Sequence, residues 1–136
     1  MKLLMFNTKE FWYKTFSKTV ESVEDLMKED KWEDALVIFL NVEKEDEEKP
    51  NKVLMKAVDN ISWLARKVEG RKIVLHSFTH LSESKSTIEF AEKIIKDIRE
   101  RLQVKGYEAY TTPFGYLLEF KIHVLGDSLA KVWKDI

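Results

Sequence analysis

The sequence predicts an α/β domain, a mixed β-sheet with two main helices packed on it. Short apolar runs alternate with two longer stretches of helical periodicity, which are closed by Gly70 and Gly106. One of the runs, residues 35–42, is almost unbroken, as a strand covered on both faces requires. Another, residues 116–124, alternates apolar and polar positions, as a strand with one buried face does. At 136 residues the chain is long enough for a single core without disulfide or metal staples. It is read as one domain, residues 1–136, with no linker, repeat or low-complexity tract.

Taken in order, residues 2–6 are apolar and residues 10–17 are rich in aromatic and β-prone side chains. With Asn7, Thr8 and Lys9 between them, a β-hairpin is expected. Val20, Val23, Leu26 and Met27 fall at helical spacing and predict a short helix within residues 20–29. Residues 35–42 give the central strand, and the charged run 43–50 reads as a solvated loop. In residues 52–68 a stripe formed by Val53, Leu54, Ala57, Val58, Ile61, Leu64, Ala65 and Val68 predicts the first main helix. Residues 72–75 give a short buried strand. Ser86-Thr87-Ile88-Glu89 has the spacing of a capping box, and the stripe of Ile88, Ala91, Ile94, Ile95, Ile98 and Leu102 predicts the second helix. Residues 107–111 and 116–124 are strands, and Gly126 and Asp127 lead into an expected short helix through Trp133.

Lys and Arg number 23 against 24 Asp and Glu. Without a net basic field the chain is not suited to holding a long duplex, although a few terminal nucleotides need only backbone amides and a few side chains. The chain has no cysteine, which removes thiolate nucleophiles, Cys-based zinc sites and disulfides together. The apolar start, residues 1–7, is too short for a signal peptide or a membrane span, so no membrane association is expected.

Two segments carry the candidate chemistry: Ser77-Phe78-Thr79-His80-Leu81-Ser82 and Thr112-Pro113-Phe114-Gly115-Tyr116. Each lies where a predicted strand meets a loop, and together they would wall a small polar pocket. His80 follows the end of a buried strand, and the crevice beyond strand carboxyl ends is where α/β sheets bind ligands. From the residues alone, two readings of His80 stand side by side, a ligand contact and an idle exposed histidine. The turn Pro113-Phe114-Gly115 is likewise either a donor of amides to a pocket or a plain connection. His76 and His80 are four apart but lack a third metal ligand. His123 falls on the polar face of the last strand. Phosphate-loop, dinucleotide-binding and nucleophile-elbow patterns do not occur.

Over nearly its whole length the chain resembles the archaeal editing domain of threonyl-tRNA synthetase. The resemblance is carried by residues 36–44, Phe78-Thr79-His80-Leu81-Ser82, Pro113-Phe114-Gly115-Tyr116 with Phe120-Lys121-Ile122, and Gly126 with Leu129-Ala130. It implies the D-aminoacyl-tRNA deacylase-like fold, a homodimer, a cytoplasmic location, and hydrolysis of the seryl ester on the 3′ adenosine of mischarged threonine tRNA. The implied partners are that serine-carrying 3′ end and the synthetase's catalytic domain, in cis or in trans; no cofactor and no metal are implied. With no room for an ATP-dependent core, the chain by itself is not expected to charge tRNA. The resemblance gives catalytic roles to His80, Gly115 and Tyr116, and substrate-binding positions to Val42, Phe78, Thr79, Phe114, Leu117 and Leu118. Its chemistry is water attack on an activated ester, helped by backbone donors and the RNA's own 2′-hydroxyl. The chain departs from the family pattern at Leu118, where a lysine is usual, and at Leu117, Ser77 and Lys131, where an aromatic residue, proline and glutamate are common. Two rival readings are a D-aminoacyl-tRNA deacylase and a catalytically silent module that binds tRNA ends or dimerises.

Overall fold

The computed structural model describes residues 1–136, and its organising element is the first strand. β1 runs through Lys2–Lys18 without interruption. Along one edge it pairs antiparallel with β2 (Glu29–Glu33) and β3 (Ala35–Asn41). Along the other it pairs antiparallel with β6 (Tyr116–Val124) and β7 (Lys131–Asp135). β4 (Lys72–Ser77) and β5 (Glu108–Thr111) extend the sheet from β3 in parallel. The connections between these parallel strands are the helices α1 (Pro50–Lys67) and α2 (Ile88–Val104), so the expected mixed sheet with two packed helices is what the chain forms.

The expected hairpin at the front is instead a bend within β1. The polar trio that suggested a turn is held inside the sheet: Thr8 is buried and its hydroxyl donates to the Ala35 carbonyl at 2.7 Å. The Lys9 and Asn7 carbonyls accept the amides of Asp34 and Leu125 at 3.0 Å each. Asp34, at φ 53°, sits at the break between β2 and β3. The register against β6 shifts between Thr8 and Glu10, and such an irregularity increases twist and curls the strand. The second half of β1, with β2 and β6, thus folds over one face of the parallel strands.

The helices cover the other face. Leu36, Ile38, Leu40, Ile73, Leu75 and Ala109 point into one core with the apolar stripes of α1 and α2. Val37, Phe39 and Val74 point the opposite way, against Phe11, Trp32 and Phe120 of the curled half. β3 is buried at every position, which explains its unbroken apolar sequence.

Four further expectations need correction. Residues 20–29 form no helix: Met27 is 97% exposed, so its stripe has no core to face. Thr15 instead exchanges backbone and hydroxyl bonds with Lys28 at 2.9 Å, leading the chain into β2. The charged run is not simply solvated, since Glu43 and Asp46 are buried around a 3₁₀ turn, Lys44–Glu48. They hold the Met1 ammonium at 2.8 and 2.7 Å. The C-terminal segment makes only a 3₁₀ turn, Ser128–Ala130, before β7, because the edge of β1 offers unpaired backbone groups that a strand satisfies and a helix does not. Finally, the N-cap of α2 is Thr87, whose hydroxyl accepts the Phe90 amide at 3.3 Å, one residue later than the box spacing indicated. Gly106 ends α2 at φ 97° as expected, whereas the left-handed residue after α1 is Glu69 rather than Gly70.

Burial alone would raise the Glu43 carboxyl. Hydrogen bonds from the Met1 ammonium, the Ser82 hydroxyl and Lys2 outweigh it and hold the group at about 2, below its ordinary 4.5. The ionised group therefore contributes stability that is complete above the ordinary value and is lost as pH falls from there through about 2. Glu43→Gln is expected to cost about 2 kcal/mol near neutral pH and to flatten the acid loss of stability across that window. Denaturant titration at several pH values measures both.

Candidate active site

The curl of the sheet leaves an open cavity of about 300 Å³ at the carboxyl ends of the parallel strands, where α/β sheets place their ligands. Three stretches of chain wall it, together with Val42 and residues 19–20. The first is the loop after β4, from Phe78 to the start of α2. Asn41, fully buried at the end of β3, shapes this loop: its side-chain oxygen accepts the Leu81 and Ser82 amides at 3.1 Å each, and its amide nitrogen donates to the Ser84 carbonyl at 3.1 Å. The Ser82 hydroxyl donates to Glu43 at 2.6 Å, so the buried cluster at Met1 and the cavity loop share a residue.

The second is the turn before β6. Gly115 has φ 84°, and its carbonyl accepts the Thr19 amide at 2.8 Å. A Cβ there would sit 2.9 Å from Val23 Cγ1, so both the backbone angle and the close approach of the residue 19–23 segment require glycine. The third is the start of β6 itself.

Nine residues expected at the site line this one cavity: Val42, Phe78, Thr79, His80, Phe114, Gly115, Tyr116, Leu117 and Leu118. His80 is exposed, with its ring edge-on to Phe78 at 5.0 Å. The Tyr116 hydroxyl is buried without a hydrogen-bond partner. His123, on β6, is no part of the cavity.

Two properties decide what the cavity can do. Thr79, His80, Phe114 and Gly115 have amide N–H groups that bond to no other group of the chain, so the walls carry free backbone donors. No carboxylate lines the cavity; its ionisable members are His76, His80, Lys85 and Tyr116. No serine or threonine hydroxyl in its wall is bonded to a histidine, so the pairing that activates a hydroxyl nucleophile is absent. No group of three or more metal-ligating side chains occurs in the chain.

Two lining residues, His76 and Lys85, lie outside the positions expected at the site. His76 stands at the back of the cavity, with Nδ1 2.9 Å from the Thr112 hydroxyl. Its ring packs among Phe39 at 5.0 Å, Phe120 at 5.9 Å and Phe78 at 6.0 Å. A polar residue closing a buried apolar run was the available signal. Burial pushes this imidazole down to about 4, so it is neutral near pH 7.

The curled mixed sheet with two helices on one face is the D-aminoacyl-tRNA deacylase-like fold. Among solved structures it resembles the c-Myc DNA Unwinding Element Binding Protein, with a TM-score of 0.69 over 100% of this chain and 99% of that one, at 14% sequence identity. The model of the archaea-specific editing domain of threonyl-tRNA synthetase matches residues 1–136, and the chain belongs to that family. It is 32% identical over 139 residues to a threonine–tRNA ligase of Thermococcus gammatolerans and 36% identical over 138 residues to that of Methanosphaera stadtmanae. In both, all of this chain matches 22% of the relative, so it spans about a fifth of the length of the curated relatives it matches.

Because folding strips His76 of its proton affinity, the unfolded chain takes up a proton below about 6.5 that the folded chain refuses until about 4. Stability therefore falls as pH drops through that window, by up to about 3 kcal/mol. His76→Gln is expected to remove this part of the slope, as read by chemical denaturation across the window.

Proposed function

We propose that this domain proofreads threonine tRNA by hydrolysing the ester of mischarged L-serine. The observation that carries the reading is the set of free amides at Thr79, His80, Phe114 and Gly115 around a cavity with no carboxylate and no paired nucleophile. An aminoacyl ester is already activated, so oriented water and an oxyanion site suffice. Water oxygen adds to the ester carbonyl carbon, and the negative charge that develops on the carbonyl oxygen meets amide donors. The bond to the ribose 3′-oxygen then breaks, and the proton lost by water ends on that oxygen. His80 hydrogen-bonds the terminal nucleotide or the water, and the RNA 2′-hydroxyl helps to position the water. Phe114 and Tyr116 shape the adenosine and amino-acid pocket.

The need for such a site follows from size. Serine lacks one methyl of threonine, and a synthetic pocket gains only about 1–3 kcal/mol from a group of that size. A second cavity too tight for the methyl sieves in the opposite direction. The domain acts in the cytoplasm as a homodimer, joined to or working with the synthetase's catalytic domain; sedimentation at micromolar concentration tests the dimer.

Leu118 in the cavity wall favours a second reading, a silent module that binds the tRNA end without cleaving the ester. Side-by-side incubation of seryl- and threonyl-charged threonine tRNA with the purified chain separates the two. Loss of serine with threonine spared is expected, and His80→Ala is expected to slow it about tenfold, the loss of one hydrogen bond. Retention of both esters, with a seryl-adenosine analogue still bound, establishes the silent module. Equal hydrolysis of D-aminoacyl esters on several tRNAs, with little preference for serine, establishes a D-aminoacyl-tRNA deacylase.

A further inference from the structure

Beside the candidate site lies a second cavity of about 400 Å³, which shares Ser77, Pro113 and Phe114 with the first. One face of α2 forms its floor, with Glu92, Ile95, Lys96 and Arg99 at successive helical spacings, and Lys28 closes it from the segment that enters β2. None of Lys28, Lys96 and Arg99 forms an ion pair, although the chain carries 24 acidic residues. Glu92 is the cavity's one carboxylate and bridges none of the three.

The Arg99 Nε is buried and has no hydrogen-bond partner. A buried donor left unpaired is costly, and native chains satisfy nearly all of them. The donor here belongs to a planar guanidinium, whose fork of N–H groups matches the oxygens of a phosphate. Ser77 and Thr111 add hydroxyls to the same wall.

We propose that this second cavity is a phosphodiester site, which grips the RNA backbone just upstream of the nucleotide seated in the first cavity. Arg99 takes phosphate oxygens through its N–H fork, while Lys96 and Lys28 neutralise charge at the rim. The cavity wall common to both sites makes the track continuous. A chain of near-neutral net charge can thereby hold an RNA end by local contacts, with no general basic surface. This rests on the reading of the first cavity as the seat of an RNA 3′ terminus.

The test uses binding alone, with uncharged RNA, so its failure is separable from failure of the ester hydrolysis. The probe is a short single-stranded oligoribonucleotide ending in adenosine with a free 3′-hydroxyl, dye-labelled at its 5′ end and followed by anisotropy over a salt series. The oligonucleotide is expected to bind at least about tenfold more tightly than adenosine, with affinity falling as salt rises. Arg99→Gln and Lys96→Gln are each expected to weaken the oligonucleotide about three- to tenfold, to lower the salt slope by about 0.7, and to leave adenosine binding unchanged. Glu92→Gln is expected to tighten the oligonucleotide, a gain that misfolding cannot imitate. Wild-type affinity and slope in Arg99→Gln and in the Lys28→Gln/Lys96→Gln double variant would overturn the proposal. Inorganic phosphate competing as tightly as the oligonucleotide would also overturn it, by making the cavity a simple anion site.

Discussion

The whole architecture depends on one strand bending without breaking. β1 gives its first half to β3 and β7 and its second half to β2 and β6. The change of partners on both edges occurs at the level of Asn7, Thr8 and Lys9, where the carbonyls of Asn7 and Lys9 receive Leu125 and Asp34. Because both edges switch together, the sheet curls as a unit. That curl lets one sheet cover two faces: the helices bury one side of β3, β4 and β5, and the sheet's own second half buries the other. The cavity is the gap that remains where the covering half meets the strand ends, so its position follows from the bend.

On the proposed function, the site takes its chemistry from backbone more than from side chains. Asn41 takes up the Leu81 and Ser82 amides and the Ser84 carbonyl, which fixes the loop while leaving the Thr79 and His80 amides free. Across the cavity, the left-handed conformation of Gly115 and its bond to Thr19 fix the facing turn. Amide dipoles held by a rigid frame need no reorganisation when charge develops in front of them. The aromatic back wall contributes in the same direction. Phe39, Phe78 and Phe120 surround His76 and keep it neutral, which leaves Lys85 as the one Lys or Arg in the lining.

The features legible in the sequence were those with a local cause. Both long helices announce themselves by apolar stripes, β3 by an unbroken buried run and β6 by alternation, and these suffice for the fold class. The misread segments have long-range causes. The trio at residues 7–9 has turn-forming composition, yet Thr8 finds its acceptor at Ala35. Residues 131–135 are a strand only because the edge of β1 is open to them. Glu43 and Asp46 sit in a charge run that any local rule assigns to solvent, and only the folded position of Met1 makes them a buried cluster. The site divides in the same way. The two segments at strand ends were readable as cavity walls, but His76 acquires its neutral state from ring neighbours on β3 and β6. Arg99 likewise becomes part of a cavity only when Lys28 arrives from the far side of the sheet.

Leu118 bears on both the polarity and the chemistry of the cavity it lines. A lysine at this place would put a cation against an ester, and its absence looks at first like the loss of a catalytic group. Yet an apolar side chain also excludes water and lowers the local dielectric, which strengthens each dipole aimed into the cavity. On the proposed reading, the unbonded amides of Phe114 and Gly115, and of Thr79 and His80, are the donors of a cavity that Leu118, Phe120 and Val42 also line. Those surroundings favour stabilisation by fixed dipoles over stabilisation by a mobile charge. On the same reading, Lys28, Lys96 and Arg99 in the neighbouring cavity hold the RNA strand, and backbone donors act where the ester reacts.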